Sequence, residues 1–161
     1  SHEYFKTGPK EANPGRGFVM VRAESLSSKS IVSALQAGEY YSSSGVILES
    51  IETNKRRMRV KIEQESGVSY TTQFIGTRRG FSGASEPVRD TDGNEIAGKS
   101  RIYSAAIGEV LHETTKNPAV YRFKDDELYV RAKVISSKPL GSPMQEGGTQ
   151  SAWVQPVLVN P

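Results

Sequence analysis

The stretch Ala34–Val46, ALQAGEYYSSSGV, is where a helix ends and an all-β chain begins. Gly38 falls where a left-handed residue closes a last helical turn. Two tyrosines, three serines and Gly45 then lead into an apolar run starting at Val46. Upstream, Ser27 is a natural N-cap, and Leu26 before it is placed to staple against Ile31. Ile31, Ala34 and Leu35 share one face with Val32 beside them, so the helix is expected to bury a stripe. GFVMVRAES, just before it, reads as a short buried strand from Phe18 to about Arg22.

After Gly45 the pattern is β. VILESIE, RMRVKIEQ and SYTTQFIGT are strands with mixed alternation separated by polar turns. A polar loop over 78–100 follows, and strands resume with IYSAAIGEVLHE, AVYRFK and ELYVRAKVISS. The loop KPLGSPMQEGGTQ precedes a last strand, SAWVQPVLV. Some seven strands with no helix between them predict an antiparallel β-sandwich rather than a parallel sheet. The expected fold is therefore mainly β: a short β-α element over 1–44, then an antiparallel sandwich over 45–161.

The composition is that of an ordinary globular domain, 35% apolar and 24% charged over 161 residues. No run approaches the roughly 18 apolar residues of a membrane span, so no membrane partner is expected. A net charge of +3 without a concentrated patch does not argue for nucleic acid. The absence of cysteine excludes disulfides, thiolate metal sites and cysteine nucleophiles. The start, Ser1-His2-Glu3, reads as a piece of a longer protein or as the scar of a cleaved tag.

Several clusters carry a chemical reading beside a plain one. DTDGNE, Asp90–Glu95, spaces three oxygen side chains as calcium loops do, yet position 12 from Asp90 is Arg101 where a bidentate Glu is needed. A tight turn is the stronger reading. Lys55–Arg59 with Arg78 and Arg79 is the basic cluster, but Glu49, Glu52, Glu63 and Glu65 lie close in sequence. A solvated strand face with local ion pairs is expected there. His112 follows Leu111 in GEVLHETT and is placed as an outward strand residue with no partner for acid–base work. Trp153 with Tyr70, Tyr103, Tyr121 and Tyr129 has the makings of a sugar-stacking platform, or of an ordinary sandwich core. The SxG of SSSGV enters a strand from a helix, the reverse of a nucleophile elbow.

The series NPGRGFVMVRAESLSSKSIVSALQAGEYYSSSGV resembles the C-terminal end of PHP-domain proteins, metal-dependent phosphoesterases of the polymerase-and-histidinol-phosphatase superfamily. The resemblance is to their bacterial branch, in which a β-rich extension follows the metal-binding barrel. The step Gly38-Glu39-Tyr40-Tyr41-Ser42-Ser43-Ser44-Gly45 matches that branch. FIGT at 74–77, YSAAIGEVL at 103–111, DELYVRAKVISSK at 126–138 and AWVQPV at 152–157 continue the likeness in order. The resemblance implies that 1–44 is the end of the barrel and that the serine step is a seam between barrel and sandwich. It implies a divalent metal (Zn, Mn or Fe) for the full-length parent. His2 would be the His of a late Asp-x-His metal motif whose Asp precedes Ser1. With the other ligands upstream, no catalytic residue and no cofactor are expected for this chain alone. Its expected partners are the N-terminal remainder of its own parent barrel and, through an exposed leader, a second copy of itself. The competing expectation is an independent β-sandwich module that binds a glycan or a protein.

Overall fold

The computed structural model describes residue 5 and residues 16–99, 101–141 and 147–159. Its elements are β1 (Phe18–Val21), α1 (Ser28–Gln36), β2 (Tyr40–Ser43), β3 (Leu48–Asn54), β4 (Arg57–Ile62), β5 (Tyr70–Arg78) and β6 (Ser85–Glu86). They continue with β7 (Ile102–Tyr103), β8 (Glu109–Thr114), β9 (Ala119–Arg122), β10 (Glu127–Pro139), β11 (Thr149–Val154) and β12 (Val157–Leu158). The seven-stranded sheet runs β1-β2-β11-β10-β5-β8, with β12 also on β10; a three-stranded sheet runs β3-β4-β9. Every pairing is antiparallel. The chain is thus mainly β, as its alternation predicts. β1 and β2, from the expected leader, hydrogen-bond directly into β11 of the body.

The two larger sheets share one core. Met58, Val60 and Ile62 of β4 and Ala119 and Tyr121 of β9 meet Tyr41, Phe74, Val130, Ala132 and Val134 of the large sheet. Phe74 and Tyr121 stack across the interface with centroids 5.5 Å apart. Because side chains alternate, each cross-strand row belongs to one face. Phe18, Ser43, Ala152, Val134, Thr72 and Thr114 are register partners along one inner row. Val19, Ser42, Trp153, Lys133, Gln73 and Glu113 form the matching outer row. Between β4 and β9, the Asn117 amide stands in for a strand partner: its Oδ1 accepts from the Ile62 N–H at 2.9 Å and its Nδ2 donates to the Ile62 carbonyl at 2.8 Å.

α1 begins and ends as its sequence dictates. The Ser27 hydroxyl accepts from the Ser30 amide at 3.3 Å, satisfying one of the orphan donors of the first turn. At the other end Gly38, φ 73°, donates to the Leu35 carbonyl while Glu39 donates to Ala34. That pair of bonds is a Schellman closure, and a β-carbon at Gly38 would strain it. The staple expected from Leu26 is not made, since that side chain is 98% exposed. Nor is the stripe buried: only Ala34 is, while Val32 and Leu35 stay exposed.

Two strand assignments also differ from the alternation. IYSAAIGEVLHE is not one strand; a turn over 104–108, with Gly108 at φ 70°, separates β7 from β8. The loop over 78–100 carries β6, which pairs with β7, and an isolated bridge between Arg89 and Glu95.

Candidate functional site

The serines after the helix serve the backbone. Ser43 is buried; its hydroxyl donates to the Val46 carbonyl at 2.7 Å and accepts from the Gly45 amide at 2.9 Å. The Ser44 hydroxyl accepts from the Ser151 amide at 2.9 Å, so it joins the seam to β11. Ser42 lies on the outer row between Val19 and Trp153. These bonds fix the chain as it leaves the large sheet for the small one, the role that turn-forming hydroxyls supply.

Beside that step lies a groove of about 720 Å³, within the size range of small-molecule pockets. Segments 20–22, 37–41, 48–53 and 154–157 line it. It exists because the small sheet stops short. β3 covers β2, where the Tyr41 hydroxyl accepts from the Leu48 amide at 3.0 Å. Nothing described covers β1, so Phe18 and Met20, on the inner face, stay 42% and 40% exposed. Met20, Leu48, Ile51 and Val154 give the groove an apolar floor, and Glu39, Glu49 and Glu52 stand at its rim. Each rim carboxylate has a cation of its own: Glu39 is paired with Arg22, Glu52 with Arg59 at 2.5 Å, and Glu49 with Lys61 at 2.6 Å. All three pairs are solvated, so they hold the rim in shape more than they attract charge.

A second cluster sits at the opposite end of the small sheet, and the sequence reading missed it. Glu127 is fully buried at the start of β10. Its Oε1 accepts from the Tyr121 hydroxyl at 2.5 Å, and both oxygens accept from the Lys124 amide, at 3.1 and 3.0 Å. Burial, then the hydrogen bond to Glu127 and its charge, pushes the Tyr121 phenol up to about 12. Nearby, Arg78 holds Asp126 through one guanidinium nitrogen, 2.6 and 2.7 Å from its two carboxylate oxygens, and reaches Glu109 at 3.1 Å. The hydrogen bond to Asp126 raises the Arg78 pKa further above its usual value. The carboxylate of Glu127 is satisfied by groups of its own chain, and the arrangement clamps the turn between β9 and β10.

The other residues singled out from sequence are scattered. His2 lies outside the described residues. His112 is exposed but not turned away from the core: it follows Phe74 on the inner row, with centroids 6.2 Å from Phe74 and 6.3 Å from Tyr121. A register shift between Phe74 and Ile75 breaks the alternation on which the outward placement relied. Asp90 forms an Asx turn, its Oδ1 accepting from the amides of Asp92 at 3.0 Å and Asn94 at 2.8 Å. Tyr70 and Tyr121 are buried whereas Trp153 lies on the outer face with Lys133 above it, 5.9 Å away, so the aromatics form no common platform. Arg59, Lys61 and Arg78 are committed to carboxylates.

Among the described residues, no three His, Cys, Asp or Glu side chains are grouped to hold a metal ion. Among them, too, no helix is long and apolar enough to cross a membrane. What the groove offers is an apolar trough with a tyrosine and paired charges at its lip. No protein-family model, curated protein or solved structure matches the chain.

Proposed function

We propose that this chain is the C-terminal accessory region of a longer, PHP-type metal-dependent phosphoesterase, and that it supports the catalytic barrel rather than performing chemistry. The observation that carries the accessory role is the uncovered apolar side of α1, where Val32 and Leu35 are 52% and 38% exposed. A helix with such a side needs a second layer to meet it. The phosphoesterase assignment rests on the ordered series of motifs from GRGFVMVRA to AWVQPV. In the parent, a divalent metal would activate water toward a phosphate ester, and this region would hold the last strand and helix of the barrel in place.

The test is turnover of a generic phosphate monoester with added Mn²⁺ or Zn²⁺. The chain as it stands should show none, and a chain extended upstream through the barrel should be active. Turnover by this chain alone that a chelator abolishes would overturn the reading. The second reading, an independent binding module, is favoured by the groove, whose floor and tyrosine suit a peptide or glycan. Saturable binding of a glycan or peptide, lost on replacing Tyr40 and Ile51, would support it over the first.

A further inference from the structure

The groove has the shape of a missing strand, and we propose that a second copy of this chain fills it, through a twofold joint in which β1 of each protomer pairs with β3 of the other. The joint is separate from the phosphoesterase reading: it rests on the open edges of β1 and β3 alone, and a barrel that took up β1 would compete with it.

Backbone directions carry the argument first. The Arg22 amide donates to the Glu39 carbonyl at 2.8 Å, so alternate residues Phe18 and Met20 also face β2. The amides and carbonyls of Val19 and Val21 therefore point away from the sheet. In β4 the Glu63 amide points to β3 and Ile62 points to Asn117, which fixes Arg57, Arg59 and Lys61 as bonded toward β3. Their partners Asn54, Glu52 and Ser50 turn inward, leaving the backbone groups of Ile51 and Thr53 on the open edge. Among the described residues, two unpaired strand edges thus face one groove, one in each sheet. Such edges are templates for strand addition.

Side chains carry it second. The large sheet extends one strand beyond the small one, and its overhanging inner row is apolar, Phe18 and Met20. A twofold axis parallel to the strands turns a second copy upside down, so that its own overhang enters the vacancy beneath the first. β1 of the partner then continues the small sheet past β3, and the Phe18 and Met20 rows of the two copies close on each other. A step of one strand is complementary to its own inverse, which is what an isologous interface requires. The rim charges, already paired within the chain, neither drive nor oppose the joint. The far edge of the large sheet lacks this character: β8 carries Glu109 and Glu113, charges of the kind that protect edges.

Sedimentation velocity over a wide concentration range tests this on the intact chain. The expected result is a reversible rise toward twice the 17.6 kDa protomer mass and no further. Met20→Lys, which places a charge in the closed seam, should weaken dimerisation at least about tenfold. Thr53→Pro removes an edge donor at a position where proline is tolerated, and should act alike. Val32→Ser, on α1, should leave dimerisation unchanged. As a readout independent of variants that fail to fold, amide exchange at Val19, Val21, Ile51 and Thr53 should slow as concentration rises. A monomer throughout, open-ended oligomers, no gain in exchange protection, or a dimer broken by Val32→Ser but not by Met20→Lys would each overturn the joint.

Discussion

The two ends of this sandwich solve the problem of an unfinished edge in opposite ways. At the β9–β10 end, a carboxylate is taken fully out of water and given three hydrogen bonds, so the turn closes on itself. At the β1–β3 end, apolar side chains are left half in water and the backbone edges stay open. The first end spends its specificity internally, since a buried charge tolerates only the partners it has. The second keeps its surface for something else. The open apolar end is where the second copy proposed above would dock.

The largest effect that separates these ends should come from Glu127→Ala. It strands the buried Tyr121 hydroxyl, frees the Lys124 amide and leaves a cavity, a loss of about 3–5 kcal/mol in urea unfolding. A loss under about 1 kcal/mol would mean the end is not a clamp. Next comes an alkaline limb. The phenol ionises near 10.0 when unfolded and at about 12 when folded, so the folded state keeps its proton longer. Stability from this group is complete below pH 10 and falls as pH rises through 10 to 12, by about 2–3 kcal/mol in all. Tyr121→Phe should remove that part of the pH dependence, which subtracts the contribution of the other tyrosines. Smallest is Leu26→Ala. With no staple made, it should shift stability within about 0.5 kcal/mol by thermal melting, whereas a real staple would register clearly above that.

How far the sequence reveals this molecule depends on whether the chain keeps its period. α1 is legible at both ends because Ser27 and Gly38 act through local bonds that their own residue types dictate. β4 and β5 are legible because burial alternates along RMRVKI and the first part of YTTQFIGTR. Glu127 was not legible. Buried residues Val130, Ala132 and Val134 alternate, but a register shift between Glu127 and Tyr129 changes the parity, so a glutamate at an outward position turns in. The same failure misplaced His112. The groove escaped for a different reason: nothing in a single strand states that the opposing sheet stops one strand short at this edge. The fate of α1's stripe was equally hidden, since periodicity shows that a helix has an apolar face and not whether anything meets it.

β2 has a consequence for how the chain is made. Its inner edge pairs with β11, more than a hundred residues downstream, and the Ser44 amide bonds the Ser151 carbonyl at the same place. The β1–β2 pair therefore gains its place in the large sheet only after β11 has been made. The local hairpin of β3 and β4 can form early, while the leader gains its sheet only at the last step. The segment made before the small sheet is thus the last to join the large one, and the apolar strand β1 waits with it.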